Sequence, residues 1–453
     1  MAGILKIKAV QILLLLGMSL MIMSEFISQT HAQSSITIVS ENIQNGWPDK
    51  LDFTFEVQSA SQINDARLNY SIGSGRSTAF TKGEVEKLPS GNIKITSTIK
   101  TGGTSYQPPG TLFTYWLSVG TPSGDLEAAH KNYLYLDSRF DWKTDVSKDN
   151  MTVLYHGPVR TRAQQVLDAI VETNVKMSPV LGVMVDSPVR IILYNNVVEM
   201  QPVLPFVSVA LGSTLITEGQ AYGEQGVTFV LGQSNVRGVA SHEFTHLMVD
   251  KAAGTHGGLV PSWLNEGLAE FGNLEPGVEY DQSLAAALKD NRILSIAQLQ
   301  SRQSTAIEAI LLYGEGRSIV KFMVNTYGIE KMALMFKNIA SGDVLDKAVT
   351  KAYGFNLITL ENNWRATLGL PPVTDESLRL APTQAPIPTV PLLGSQPTTP
   401  SPTVGATATP TVKGGGGGCS APDEHASADV MMLMSPAMLA IGAILVRRRR
   451  RSK

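Results

Sequence analysis

The most constraining feature of this chain is the pentapeptide HEFTH at residues 242–246. Residues four apart on an α-helix lie one turn above each other, so a helix here lets the imidazoles of His242 and His246 reach one tetrahedral metal ion. Glu243 is rotated by about 60° from His246, so it can face a metal-bound water without binding the metal. An apolar arc lies opposite the histidines and predicts that the other helix face packs in a core; it comprises Val236, Ala240, Phe244, Leu247 and Met248.

A second acidic motif, WLNEGLAEF, begins at Trp263. Glu266 and Glu270 are four apart on a second predicted helix, and Leu264, Leu268 and Phe271 form its apolar face. With 7 histidines in 453 residues, a random HExxH is expected about 0.005 times in such a chain. Two neighbouring helices with polar stripes therefore indicate a metal site, and the alternative is a decayed or purely structural version of it.

These motifs resemble those of the gluzincin metallopeptidases, particularly the peptidase MA-like domains. Around WLNEGLAEF the chain is similar to the M1 aminopeptidases, and the resemblance covers roughly residues 150–370. It implies that Glu266 completes a zinc site with His242 and His246, and that Glu243 acts as the general base. It further implies that Glu270 orients the first zinc histidine; the alternative for Glu270 is a solvated helix charge.

A further resemblance lies in the segment YGEGRSIV, which starts at Tyr313. It is similar to the helix start that supplies M1 enzymes with a transition-state tyrosine, which makes Tyr313 a candidate oxyanion stabiliser. The alternative is a tyrosine packed in the core. The M1 exopeptidase signature GAMEN is absent upstream, so aminopeptidase specificity is not implied.

Composition excludes several function classes. The net charge is −2, and no basic patch interleaved with aromatic residues precedes the C-terminus, which argues against nucleic acid as a partner. The single cysteine, Cys419, rules out an intrachain disulfide and a thiolate metal cluster. We therefore expect packing and a bound metal to stabilise the fold.

Both ends of the chain carry targeting signals. Residues 1–32 resemble a signal peptide, with two lysines, an apolar stretch from Ala9 to Met23 and small residues before Gln33. Residues 430–446 are apolar or small, at the short limit for a transmembrane helix, and the basic tail 447–453 begins with Arg447–Arg451, which predicts a cytoplasmic end. Gly414–Gly418 before Cys419 resemble bacterial C-terminal sorting tails; an ordinary tail anchor is the alternative.

Between these ends we expect two folded domains and a stalk. Residues 34–137 predict an all-β immunoglobulin or fibronectin III-like sandwich, from the apolar runs 36–39, 51–57, 66–72, 93–99 and 112–119. Residues 150–370 predict an α+β zincin-like peptidase domain whose part after Glu270 forms a helical C-terminal lobe. Within it, Gly226–Leu231 is the candidate for a substrate-pairing edge strand, and an internal strand is the alternative. Residues 371–418, rich in Pro, Thr and Gly, predict a disordered stalk.

The sequence thus predicts an exported, cell-surface-anchored peptidase that uses Zn²⁺, acts on a peptide or protein and contacts the membrane through its C-terminal helix. Two alternatives remain open: a non-catalytic surface-binding protein on a degenerate zincin scaffold, and a zinc hydrolase with a non-peptide substrate.

Overall fold

The computed structural model describes residues 36–73, 77–205, 216–233, 235–301, 306–374 and 429–433. The predicted signal peptide and basic tail lie outside these ranges, as do most of the predicted stalk and most of the predicted membrane helix.

The N-terminal domain consists of antiparallel strands. They are β1 (Thr37–Gly46), β2 (Lys50–Gln58), β3 (Asp65–Ile72), β4 (Ala79–Lys87), β5 (Ile93–Lys100), β6 (Leu112–Thr121), β7 (Gly124–Glu127) and β8 (Lys131–Leu134). In β2 every second side chain is buried, from Leu51 to Val57, which is the period expected of a strand with one face in a core. The five predicted apolar runs therefore all lie in or beside strands.

Strand β4 connects the two halves of this domain. Its first residues pair with β3 and its last residues pair with β5, and the strand order is β1-β2-β5-β4-β3-β6-β7, with β8 also paired to β6. Side chains from both halves, such as Phe53 and Phe113, enclose one hydrophobic core. The all-β prediction is confirmed, whereas the immunoglobulin or fibronectin III-like identity stays a prediction. Strand β4 was missed because AFTKGEVEK lacks an apolar run.

A second sheet lies at the centre of the C-terminal domain. It contains β9 (Lys143–Lys148), β10 (Met151–Tyr155), β11 (Val189–Tyr194), β12 (Ile216–Tyr222), β13 (Val227–Leu231) and β14 (Asp429–Leu433). The strand order is β14-β12-β13-β11-β10-β9; β10, β11 and β13 are parallel, while β9, β12 and β14 are antiparallel to their neighbours.

The helices of this domain follow the sheet strands and then continue to residue 367. They are α1 (Arg160–Leu181), α2 (Val197–Met200), α3 (Val236–Ala253), α4 (Ser262–Gly272), α5 (Glu279–Lys289), α6 (Ile296–Ser301), α7 (Ala306–Tyr327), α8 (Ile329–Ala340), α9 (Leu345–Tyr353) and α10 (Leu357–Thr367). One core extends from the sheet through α3 to Trp364 of α10. The helices after Glu270 pack in this same core. Their separation into a helical C-terminal lobe therefore stays a prediction.

The sheet is buried on both faces. Ile191 and Leu193 of β11 belong to the core beneath the helices, whereas Ile192 and Tyr194 face a second cluster that includes residues of the N-terminal domain. Gly110 of that domain approaches the sheet so closely that a Cβ there would lie 2.8 Å from Cδ1 of Ile192. The continuous apolar run in β11 is therefore explained by helices on one side and the β-domain on the other.

One expectation about the sheet needs correction. Gly226–Leu231 is not an edge: β13 lies between β11 and β12, and β12 is the strand beyond it. Strand β12 went unpredicted because ITEGQAY is polar and contains glycine. Residues 430–433, the start of the predicted membrane or sorting helix, belong to β14, which pairs with the edge of β12. Residues 434–446 lie outside the described ranges, so the helix there stays a prediction. Throughout the described ranges, every helix is too short or too polar to cross a bilayer.

Candidate metal centre

Helix α3 brings the HEFTH residues to the centre of the domain. Phe244 and Met248 pack in the core on one side of the helix, as the apolar arc predicts. The opposite side is also shielded from solvent: the exposed fractions of His242, Glu243 and His246 are 0%, 0% and 1%. Buried polar side chains of this kind require polar or charged partners.

The three predicted ligand side chains lie close together in space. Nε2 of His242 lies 3.1 Å from Nε2 of His246 and 3.3 Å from Oε2 of Glu266, and the His246 nitrogen lies 3.6 Å from the same oxygen. Ligand atoms bound at about 2.0–2.2 Å to a tetrahedral zinc ion are about 3.3–3.6 Å apart. The three side chains therefore fit a tetrahedral metal site with one position left for water or substrate.

Two further contacts fix the orientation of the imidazoles. Nδ1 of His242 donates to Oε1 of Glu270 at 2.7 Å, and Nδ1 of His246 donates to Oδ1 of Asn265 at 2.9 Å. When both Nδ1 atoms carry a proton, both Nε2 atoms are unprotonated, and their lone pairs point toward each other. That arrangement needs a positive charge between the nitrogens, which a proton or a metal ion supplies.

The charge balance of the site favours a cation. Burial alone lowers the pKa of His242, but hydrogen bonds to Glu266 and Glu270 and the charges of these carboxylates outweigh it and raise the pKa to about 10. The carboxylates thus favour positive charge on His242, and a metal ion that binds here competes with a proton for its nitrogen.

The proposed general base lies under strand β12. A Cβ at Gly219 would lie 2.4 Å from Cγ and 2.5 Å from Oε1 of Glu243, so the strand backbone covers this side chain directly. Sequence reasoning missed Gly219 because its partner is 24 residues away on another element.

A close helix crossing aligns the remaining motifs. A Cβ at Gly267 would lie 2.5 Å from the carbonyl carbon and oxygen of Gly316, so α4 and α7 approach each other backbone to backbone. Gly267 follows Glu266 in the NEG motif, and Gly316 follows Tyr313 by three residues in YGEG. The glycines of both motifs therefore bring the third ligand and the tyrosine to the same place.

Tyr313 lies beside the cluster within the core. Its ring centroid is 6.0 Å from that of His242, and Tyr280 stacks on it at 5.3 Å. Burial raises the pKa of Tyr280 well above its usual value, and the charge of Glu270 raises it further. Tyr280 therefore remains a hydroxyl donor at neutral pH. Tyr280 and Asn265 were not predicted; the position of Asn265 next to Glu266 was the only available signal.

The geometry agrees with a comparison of the sequence with known families. Residues 155–369 match the family model of the Peptidase MA superfamily. The match supports a zincin-like peptidase domain and a peptidase-type hydrolase, in a superfamily whose members typically depend on a metal. Among the residues that the structure describes, His242, His246 and Glu266 form the group that could hold a metal ion.

Other comparisons add little to this result. No curated protein matches the sequence. A solved structure titled "Crystal structure of Br derivative BhCBM56" aligns over 23% of this chain and 96% of its own, with 9% identity and a TM-score of 0.16.

Proposed function

We propose that this chain is a zinc-dependent peptidase of the gluzincin type that is exported and anchored at the cell surface. The observation that carries the proposal is the spacing of the ligand atoms of His242, His246 and Glu266. Glu243 follows His242 in the sequence and is not one of these three ligands. The family match supports the peptidase scaffold. Export and anchoring rest on the sequence of residues 1–32 and 430–453.

The side chains suggest how hydrolysis proceeds. A bound zinc ion would supply Lewis acidity, which lowers the pKa of water toward neutrality and polarises a carbonyl group. Glu243 accepts the proton of the attacking water and later delivers a proton to the leaving amine. Tyr313 donates a hydrogen bond to the oxyanion that forms on the scissile carbonyl. Glu270 holds His242 in the tautomer whose Nε2 is free to bind metal.

The proposal is tested with the purified full-length chain, loaded with zinc and incubated with a peptide mixture and a panel of esters. Mass spectrometry should detect cleaved peptides, and Glu243→Gln should abolish cleavage while retaining zinc, because an amide cannot accept the proton. Cleavage of esters alone would instead support a zinc hydrolase with a non-peptide substrate. Absence of all hydrolysis in the zinc-loaded wild type would favour the non-catalytic alternative.

A further inference from the structure

Gly219 is buried in β12 and pairs across the sheet with Val230 of β13. A Cβ at this position would lie 2.4 Å from Cγ, 2.5 Å from Oε1 and 2.7 Å from Cδ of Glu243. Its three nearest neighbours are thus all atoms of the proposed general base, and no non-bonded carbon pair is stable at such separations.

The requirement for glycine here is one of space. The φ angle of Gly219 lies outside the left-handed region, so its backbone conformation is open to any residue. Glycine weakens a strand by roughly 0.5–1 kcal/mol relative to alanine. The backbone at position 219 does not require glycine. The close approach of Glu243, which any larger side chain would displace, therefore explains the glycine.

Neither backbone can move away from the other. The ladder with β13 holds the strand, and fully buried Val230 and Phe244 fix the sheet and α3 in the same core. The glutamate side chain is the most easily displaced partner, because it has three rotatable bonds. Any side chain at 219 would therefore relieve the overlap by moving the carboxyl group of Glu243.

We propose that Gly219 is a positioning residue for Glu243: its missing side chain leaves the space that this carboxylate needs to face the reacting water. This inference rests on the proposed peptidase function for its catalytic consequence. Its structural part, the steric coupling between positions 219 and 243, stands independently of the reaction.

The first test compares Gly219→Ala with Gly258→Ala in the zinc-loaded full-length protein. Gly258 is exposed, has no positive φ and has open space around a Cβ, so it controls for the substitution itself. Displacement of a catalytic group by about 1 Å can lower turnover by about 10²-fold. We expect Gly219→Ala to lower kcat by that order with KM and zinc content unchanged, and Gly258→Ala to behave like wild type. A kcat for Gly219→Ala within about twofold of wild type would overturn the proposal.

The second test does not depend on turnover. Glu243→Ala removes the three atoms nearest to a Cβ at 219, so Gly219→Ala should lower the Tm of the wild type by more than that of Glu243→Ala. An equal decrease of Tm in both backgrounds would overturn the positioning role. If no substrate is ever cleaved, the proposed function fails while this thermal comparison still decides the steric coupling.

Discussion

Replacing Glu270 by alanine should weaken zinc binding without removing a ligand. In the structure its Oε1 accepts a hydrogen bond from Nδ1 of His242 at 2.7 Å, and both side chains are fully buried. Glu270→Ala leaves the Nδ1–H group buried without its acceptor and frees the imidazole to rotate or to change tautomer. The metal then binds a less well-oriented ligand.

Two independent estimates give the magnitude. A buried donor that loses its partner costs about 1–3 kcal/mol. Loss of a group that orients a metal-binding histidine typically lowers metal affinity by about 10–100-fold, or about 1.4–2.8 kcal/mol. Both values indicate that Glu270→Ala raises the Kd for zinc by about 10–100-fold. Glu270→Gln keeps an acceptor oxygen and loses only the charge, so it should fall at the lower end of this range.

The assay is competition for zinc against a chromophoric chelator at neutral pH. Glu330→Ala is the matched control, because Glu330 is an exposed glutamate on the first turn of α8. Asn265→Ala removes the corresponding acceptor of His246 and should give a loss of about tenfold, since that hydrogen bond is neutral. A Glu270→Ala protein whose zinc Kd stays within about twofold of wild type would refute the orienting role.

Three further predictions concern turnover, stability and location. Tyr313→Phe should lower kcat by about 10²-fold with zinc content unchanged, and unaltered kinetics would assign Tyr313 to packing alone. Burial raises the pKa of Glu315 to about 8, so wild-type stability is lost as pH rises from about 4.5 to about 8. Unfolding experiments near pH 5 and near pH 8 should therefore show that the free energy of unfolding of Glu315→Gln rises relative to that of wild type by up to about 1.4 kcal/mol per pH unit. The same pH dependence in both proteins would contradict this. Protease added to intact cells should release an active fragment by cutting residues 371–418, and deletion of residues 430–453 should release the enzyme into the medium; full protection of the protein inside intact cells would refute surface exposure.

The parts of the site predicted from sequence are those set by local spacing. The two histidines are four residues apart on one helix, and Glu266 and Glu270 are four apart on the next, so helical geometry alone orders each pair. The part after Glu270 was predicted to be helical because apolar residues recur there with the helical period, as they do in α7 and α8.

The parts that escaped prediction depend on contacts between distant segments. Strand β12 has no apolar alternation, and its pairing with β13 and its cover over Glu243 arise only in the folded domain. The same holds for Tyr280, which reaches the site because α5 packs beside α7. The contact of the β-domain with the sheet was also missed, since the apolar run of β11 is compatible with helices on both faces.

The most direct test of the account is metal analysis combined with X-ray absorption spectroscopy on the purified full-length chain. We predict one zinc ion per chain, bound by two imidazole nitrogens and a carboxylate oxygen at about 2.0–2.2 Å. His246→Ala and Glu266→Ala should each lose most of this zinc after dialysis. A wild-type chain without bound zinc, or a Glu266→Ala chain that retains one zinc with an unchanged spectrum, would contradict the assignment of the metal centre.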